Sequence, residues 1–395
     1  LPICYEPDEL PDCSTPRLEK RDYIGSEKSR QHFFESNSAF PLRLPSHALA
    51  NKEFRVTFHF SLARLPRIEF GSGRLSLVPG LVARYGHQIL IVTGAHSFRA
   101  THHWSKLMAG LTERGIRWDT IHVAGEPSPE LVDRCVREYR EHGIGCVLGI
   151  GGGSALDAAK AIAGLLRPGN SVMDHLEGVG PELPYRGPGT PFVAVPTTAG
   201  TGSEATKNAV LAIHGPDGFK KSFRDEQLVA EYAIIDPDLL ASCPPPIIAA
   251  NGMDAFTQLL ESYVSNKANP FTDALARSGM ELVRDALLPW HEGTGDCTAQ
   301  RADMAYAALL SGITLAQVGL GSVHGLAAPL GAFFPIPHGV ACGTLVAEAT
   351  RTNLAALNAR DPHHPALGKY AAAGRLLAGD DSLPDEAAHA ALLDT

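Results

Sequence analysis

Four polar side chains that are distant along the chain could share one divalent cation. Asp254 and Gln258 stand four positions apart in the segment G-M-D-A-F-T-Q, so both project from one face of a helix. His324 and His338 lie much further along, and each is followed by a glycine. One carboxylate and two imidazoles can bind Fe²⁺ or Zn²⁺ and leave positions for a substrate oxygen. On spacing alone, either histidine could equally be a hydrogen-bonded residue of the core.

A glycine-rich loop could hold a phosphate group. Cys146–Ile150 is an apolar run that predicts a buried strand, Gly151–Gly153 follow it, and a helix is predicted to begin at Ser154. Glycines let the backbone approach a ligand, and a helix N-terminus offers free N–H donors to an anion. Ser154 and Asp157 match a capping pattern, so we expect part of that donor set to be occupied. A tight turn is the alternative, but three glycines exceed what a turn needs.

A second loop, V-A-V-P-T-T-A-G-T-G-S-E, also predicts ligand contact. It follows the predicted strand Phe192–Val195 and is rich in small hydroxyl side chains. In open α/β sheets, a nucleotide binds beyond the carboxyl ends of the strands. The hydroxyl groups that this loop offers belong to Thr197, Thr198, Thr201 and Ser203.

The elements that carry these loops alternate between strand and helix. Gln88–Thr93 predicts a further buried strand, closed by Gly94, and Ser128 with Pro129 predicts the N-cap and first position of a helix. Such alternation is typical of parallel βαβ units in a Rossmann-like, doubly wound sheet. We therefore predict an α/β domain over residues 54–240.

Strand patterns fade after about residue 240. Helical patterns replace them, as in Phe271–Leu287 and Cys297–Val318, and predict an all-α domain over residues 241–395. The chain ends within a helical pattern, which suggests truncation there. Residues 1–53 lack periodicity and are predicted to be a flexible extension or sequence upstream of the true start.

Composition narrows the class of protein. The 395 residues suggest about two domains, and 43 carboxylates against 34 Lys and Arg argue against a nucleic-acid partner. Seven scattered cysteines without a C-x-x-C pair are typical of reduced thiols, so we expect a cytoplasmic protein. The uncharged run from Met304 to Ala347 contains prolines and seven glycines, which predicts buried helices and not a membrane span.

Five motifs in order resemble the iron-containing (group III) alcohol dehydrogenases, from about Phe60 to the end. They are G-G-G-S-x-x-D-x-x-K, P-T-T-A-G-T-G-S-E, D-P-D-L, G-M-D-A-F-T and V-H-G-L-A-x-P-L-G-A-F-F-P-I-P-H-G. The resemblance implies a dehydroquinate synthase-like fold, with a dinucleotide-binding α/β domain and a helical metal-binding domain around an active cleft. It also implies reversible hydride transfer between an alcohol or aldehyde and NAD or NADP, in a homodimer or larger homo-oligomer.

The resemblance assigns roles position by position. Asp254, His324 and His338 would hold Fe²⁺ (or Zn²⁺) and carry the chemistry with Lys221, which would lie near the nicotinamide; Lys220 competes for that place. The residues that would contact the cofactor are Gly94, Gly152, Gly153, Ser154, Asp157, Thr197, Thr198, Thr201, Ser203 and Lys221.

The chain departs from the family pattern at three positions. Gln258 stands where four-ligand members have histidine, and an amide oxygen is a weaker ligand. Ala328 replaces a second histidine, so any proton relay through it is absent or taken by water. Gly94 replaces a frequent aspartate that would repel a 2′-phosphate, and with His96 and Arg99 nearby it permits NADP.

Three alternatives remain beside the metal-dependent alcohol dehydrogenase. A metal-independent reductase of the maleylacetate reductase type is favoured by Gln258 and opposed by the retained Asp254, His324 and His338. A lyase resembling dehydroquinate synthase shares the fold but fits the motifs poorly. A pseudoenzyme that binds nucleotide without turnover would explain the two missing histidines.

Overall fold

The computed structural model describes residues 59–293 and 295–394, so the predicted extension at residues 1–53 lies outside the described residues. Eight strands precede residue 240 in this part of the chain. Their bounds are β1 (Arg67–Phe70), β2 (Gln88–Gly94), β3 (Arg117–Val123), β4 (Cys146–Gly151), β5 (Phe192–Pro196), β6 (Asn208–Ile213), β7 (Phe219–Arg224) and β8 (Tyr232–Ile235).

Six of these strands form one parallel sheet in the order β1-β8-β5-β4-β2-β3, and β6 and β7 form a separate antiparallel hairpin. The chain runs from β2 outward to β3 and then crosses back to β4 on the other side of β2. The strand order therefore reverses between β2 and β4. At such a point the loops diverge and leave a crevice beyond the strands' carboxyl ends.

Both faces of the sheet are covered, which explains the apolar strands. Ile89 and Ile91 of β2 belong to one core, whereas Leu90 and Val92 belong to the other. Successive strand side chains point to opposite faces, so a strand buried on both faces must be apolar throughout. Four helices supply the covering layers: α1 (Val78–Val82), α2 (His102–Glu113), α3 (Pro129–Tyr139) and α4 (Gly153–Leu165). The predicted doubly wound sheet is confirmed.

The start of α3 follows its local sequence. Ser128 is the N-cap, its hydroxyl accepts a hydrogen bond from the backbone N–H of Leu131 at 3.2 Å, and Pro129 is the first helical residue. Proline suits that position because its missing N–H would have no intrahelical partner there. The predicted cap is confirmed.

The rest of the described chain is helical, as predicted for the second half. The bounds are α5 (Pro245–Tyr263), α6 (Pro270–Glu292), α7 (Thr298–Val318), α8 (Ser322–Phe333), α9 (His338–Arg360), α10 (Pro365–Ala378) and α11 (Asp385–Asp394). Helix α5 packs against α6, α7 and α9. The division of the chain into domains at residue 240 stays a prediction.

The uncharged run from Met304 to Ala347 spans parts of α7, α8 and α9. Within the described residues, no single helix is both long enough and apolar enough to cross a membrane. Helices α7 and α8 meet that test only as a pair, and they are bent by 103° relative to each other.

Helix α9 begins unusually close to α5. A Cβ at Gly339 would collide with the backbone of Ala250, so only glycine allows this approach. The contact sets the first turn of α9, which contains His338, against the turn of α5 that precedes Asp254. This close packing positions the site described next.

Candidate functional site

Three helices bring four metal-ligating side chains together. Asp254 projects from α5, His324 from the first turn of α8, and His338 and Cys342 from the first two turns of α9. One ligand atom from each of the four residues lies within 4.8 Å of the others. The structure thus unites the three predicted ligands Asp254, His324 and His338 and adds a thiol.

The ligand atoms are spaced as around a single ion. Asp254 Oδ1 lies 3.3 Å from Nε2 of His324 and 3.7 Å from Nε2 of His338. Cys342 Sγ lies 3.7 Å and 3.8 Å from the same two nitrogens. A carboxylate, two imidazoles and a thiol form a donor set suited to a divalent transition metal. These residues therefore fit the metal that the sequence implied.

Glu261, two turns after Asp254 on α5, holds the ring of His324. Its Oε2 lies 2.6 Å from Nδ1 of His324, and its Oε1 accepts a hydrogen bond from the backbone N–H of Val323 at 2.7 Å. Nδ1 bonded to a carboxylate leaves Nε2 free to face the cluster. Carboxylates behind metal-binding histidines orient the ring and raise its basicity in this way.

The charges at the cluster depend on one another. Burial lowers the pKa of His324, but its hydrogen bonds to Asp254, Cys342 and Glu261 outweigh burial and hold that pKa well above its usual value. Burial raises the pKa of Asp254, yet the two histidines bring it below its ordinary value. Burial lowers the pKa of His338 to about 4, so this ring is neutral and keeps a lone pair for a metal.

Gln258 is buried beside the cluster but turns toward α7. Its Oε1 accepts a hydrogen bond from the hydroxyl of Ser311 at 2.9 Å. Ser311 also contacts the carbonyl oxygen of Gly200, at 3.4 Å, in the second polar loop. The amide oxygen proposed as a metal ligand is therefore already engaged.

The two polar loops meet at the reversal of strand order. Gly94 ends β2, Gly151 ends β4, and Pro196 ends β5, which is paired in register with β4. A Cβ placed at Gly94 would meet no atom within 4 Å, so the crevice is open at the end of β2. This is the position in which open α/β sheets bind nucleotides.

The N-terminus of α4 faces this crevice with its donors uncapped. The helix begins at Gly153, its N-cap is Gly152, and no side chain of the described chain caps it. The predicted capping role of Ser154 and Asp157 is wrong, because Asp157 is held elsewhere. The uncapped N–H groups are suited to a pyrophosphate.

Asp157 and Ser203 form a buried network with Lys160. The hydroxyl of Ser203 donates to Asp157 at 2.5 Å and accepts from the ammonium of Lys160 at 3.1 Å. Lys160 also bonds the carbonyl of Ser203 at 2.8 Å and that of Asn208 at 2.6 Å. Burial lowers the pKa of Lys160 to about 8 and raises that of Asp157. This network ties the second loop to α4 from beneath.

The threonines lie between the two loops. The backbone N–H of Thr197 donates to the carbonyl of Gly151 at 3.0 Å. A Cβ at Gly152 would lie 3.3 Å from Oγ1 of Thr198, and one at Gly153 would lie 2.8 Å from Oγ1 of Thr201. The hydroxyls predicted to contact the cofactor therefore line the same edge as the glycine loop. Their contact with a cofactor stays a prediction.

Neighbouring lysines of β7 point in opposite directions. Lys220 donates to Glu126 at 2.5 Å, and its charge lowers the pKa of His338. The ammonium of Lys221 lies beside Gly178 instead. The predicted place of Lys221 near the nicotinamide, and the competition of Lys220 for it, stay predictions.

Sequence reasoning missed Cys342, Glu261 and the network role of Lys160. Two of them carried a spacing signal: Cys342 follows His338 by four positions, and Glu261 follows Asp254 by seven on the same helix. The third was part of the quoted glycine-loop motif but was given no role.

The second polar loop touches the helical half backbone to backbone. A Cβ on Gly202 would collide with Gly312 of α7, and one on Gly312 would collide with Gly202. Gly202 also has a φ of +60°, a conformation that favours glycine. The loop and α7 therefore pack without an intervening side chain.

A parallel α/β sheet with a crevice where the strand order reverses, followed by helices that converge on a metal-type cluster, agrees with the class of oxidoreductase that the sequence motifs resemble. The model of iron-containing alcohol dehydrogenases matches residues 66–237, and that of the Fe-containing alcohol dehydrogenase C-terminal region matches residues 248–394. The chain belongs to the iron-containing alcohol dehydrogenase family, whose members are oxidoreductases acting on CH–OH groups.

Relatives and solved structures agree with this assignment. A 1-propanol dehydrogenase of Citrobacter freundii is 41% identical over 250 residues, which cover 63% of this chain and 60% of that protein. An NADPH-dependent butanol dehydrogenase of Clostridium saccharobutylicum is 32% identical over 70% of each chain. The crystal structure of a 1,3-propanediol oxidoreductase superimposes with a TM-score of 0.75 at 29% identity over 85% of both chains.

Proposed function

We propose that this chain is a metal-dependent, NAD(P)-linked alcohol dehydrogenase that interconverts a short aliphatic alcohol and its aldehyde. The observation that carries the proposal is the convergence of Asp254, His324 and His338 from three helices. The names of the propanol and butanol dehydrogenases support a short aliphatic substrate. Phe333 and Phe334, about half exposed at the end of α8, offer apolar surface for it, whereas Phe256 is core.

A divalent cation bound at the cluster supplies polarisation of the carbonyl, and the nicotinamide supplies the hydride. The residues of the chain bind and orient. Asp254 gives the cation a buried negative partner, and Glu261 fixes the tautomer and direction of His324. The ion is Fe²⁺ or Zn²⁺, since both accept carboxylate and imidazole, and the choice between them depends on the fourth ligand.

The first test is turnover with and without metal. Protein loaded anaerobically with Fe²⁺ is expected to oxidise NADPH or NADH with short aldehydes such as propanal, and a chelated sample is expected to lose that activity. Turnover that survives chelation would support the metal-independent reductase. Protein that binds nucleotide but reduces no aldehyde of the panel would point to the pseudoenzyme.

We propose NADP as the preferred nucleotide. A carboxylate at the end of β2 would bond the ribose 2′-hydroxyl and repel a 2′-phosphate, and Gly94 has none. Three basic side chains, those of His96, Arg99 and His122, lie beside this position. Arg99 and His96 are close enough to His122 to lower its pKa, which burial also lowers. Nε of Arg99 is buried and has no hydrogen-bond partner among the described residues. These groups are suited to a phosphate.

The nucleotide preference predicts the effect of Gly94→Asp. We expect the KM for NADPH to rise about 10–100-fold, which corresponds to a repulsion of about 1.4–2.8 kcal/mol between the new carboxylate and the 2′-phosphate. The KM for NADH is expected to stay the same or fall. Gly94→Ala is the control, since the space at this Cβ is open. Equal changes for both nucleotides in Gly94→Asp would contradict the proposal.

The remaining proposals concern assembly and location. We propose a homodimer or larger homo-oligomer, measured by light scattering of the eluting protein. We also propose a cytoplasmic enzyme, because the five cysteines within the described residues are free. Fractionation of the source cells would test this location.

A further inference from the structure

The metal cluster has two candidates for its fourth ligand. Family resemblance placed Gln258 there, one turn after Asp254, whereas the structure places Cys342 one turn after His338. Each follows a ligand at helical spacing, so sequence position does not decide between them. The hydrogen bond of Gln258 and the distances from Cys342 to the other ligand atoms decide between them.

Gln258 is poorly placed to bind a cation. Its amide oxygen lies 2.9 Å from the hydroxyl of Ser311, whose single proton is shared between this oxygen and the carbonyl of Ala308 at 2.8 Å. Gln258 is 3% exposed, so turning its amide oxygen toward a cation would give up the contact with Ser311 in the buried interior, where a lost hydrogen bond is costly. A neutral amide oxygen is also a weak ligand for a transition metal.

The thiol of Cys342 matches the spacing of a tetrahedral site. With ordinary Zn–N, Zn–O and Zn–S bond lengths, a tetrahedron has nitrogen–oxygen edges of about 3.4 Å and nitrogen–sulfur edges of about 3.6 Å. The corresponding distances are 3.3 Å and 3.7 Å from Asp254 to the two histidines. They are 3.7 Å and 3.8 Å from Cys342. Four of the six edges of such a tetrahedron are thus close to their ideal lengths, and all six lie within 4.8 Å.

We propose that Cys342 binds the metal as a thiolate, in a ligand set of Asp254, His324, His338 and Cys342. Binding forms bonds from the metal to Sγ of Cys342 and Nε2 of His324, and the thiol proton and the ring proton on Nε2 both leave to solvent. No oxidant or reductant is needed. The inference rests on the metal site of the proposed function and adds to it the identity of the fourth ligand.

A thiolate changes what the site prefers. Two anionic ligands, Asp254 and Cys342, balance the charge of a divalent cation, whereas Gln258 would leave one positive charge uncompensated. Soft sulfur ligands favour Zn²⁺ over hard cations. Where four-ligand members of the family have a histidine, this chain has Gln258, and we infer that the thiolate of Cys342 takes the place of that missing imidazole. We expect this chain to retain Zn²⁺ more tightly than Fe²⁺.

Cobalt is the probe that tests the bond directly. Metal-free protein is loaded anaerobically with one equivalent of Co²⁺, and its absorption spectrum and metal content are recorded. The proposal expects one bound cobalt and a thiolate-to-cobalt charge-transfer band in the near ultraviolet. In Cys342→Ser the band should disappear, and the dissociation constant for Zn²⁺ should rise at least about 100-fold, since even losses behind the ligands cost about 10–100-fold.

Two control variants keep the test decisive. Cys297→Ser changes another buried thiol at the N-cap of α7, where serine is favourable, and should leave the band and the zinc affinity unchanged. Gln258→Met removes the amide oxygen and should keep the band and the metal stoichiometry. A band that persists in Cys342→Ser, or zinc affinity that falls only in Gln258→Met, would overturn the proposal.

The two failures can be told apart. Wild-type protein that binds cobalt without the charge-transfer band would overturn the thiolate ligand alone and leave the proposed function standing. Protein that takes up no cobalt would overturn both.

Discussion

Replacing Asp254 with asparagine is expected to abolish turnover, with a loss of about 10³-fold or more. Asp254 is 1% exposed and lies between both histidines of the cluster. Asparagine keeps the shape but removes the negative charge that attracts the cation. Loss of a bound metal removes several kcal/mol of charge stabilisation in the transition state, and about 4 kcal/mol corresponds to about 10³-fold in rate.

Metal content and NADPH oxidation, measured on the same preparation, check this prediction. Wild-type protein should carry about one cation per chain and the variant almost none. Asp285→Asn on α6, an exposed carboxylate paired with Arg284, is the matched control and should keep both metal and rate. Near-normal turnover and metal content in Asp254→Asn would place the metal elsewhere.

Replacing Lys160 with methionine is expected to destabilise the folded protein by about 3–5 kcal/mol. Lys160 is 1% exposed, and its ammonium bonds four groups in Ser203, Thr206 and Asn208. With a pKa of about 8 it is charged at pH 7, and it faces Asp157 at 3.7 Å. Breaking a buried ion pair by removing one partner leaves the other charge uncompensated.

Urea unfolding followed by circular dichroism measures the effect. Lys106→Met, on the exposed side of α2, should change the free energy of unfolding by less than about 0.5 kcal/mol. The double variant Asp157→Asn with Lys160→Met should recover part of the loss, because the orphaned carboxylate is gone. A loss below about 1 kcal/mol in Lys160→Met would show that the network contributes little to stability.

The sequence allowed those strands to be predicted whose apolar runs are continuous. Strands β2, β4 and β5 lie inside the sheet with both faces covered, so every residue of these strands is buried or nearly so and their sequences are continuously apolar. The edge strand β3, R-W-D-T-I-H-V, was not predicted, because an edge position admits polar and exposed side chains. The hairpin was also missed: β7 is polar and mostly only partly buried, whereas β6 has a short apolar run with three buried residues that was not singled out.

At the site, the sequence allowed the metal-ligating residues to be named, but not which side chains contact one another. The motif residues Asp254, His324 and His338 could be named from the sequence, since their family spacing is distinctive. The role of Asp157 was misjudged because the local sequence matches a capping pattern, whereas in the structure its carboxylate contacts Ser203 and Lys160 instead of capping the helix. Cys342 joins the cluster only because Gly339 allows α9 to approach α5, which no local pattern reveals.

The contact of Gly202 with Gly312 joins the second polar loop, which is predicted to bind the nucleotide, to the helix that holds Ser311 against Gln258. No side chain lies between the loop and α7 at this point, so we expect a displacement of the loop to move α7 as well. Thermodynamic linkage then imposes a symmetry on the two cofactors. If bound nucleotide changes the dissociation constant of the metal by some factor, bound metal must change the dissociation constant of the nucleotide by the same factor. Apoprotein and holoprotein would thus differ in nucleotide affinity by the amount that nucleotide protects the metal from a chelator.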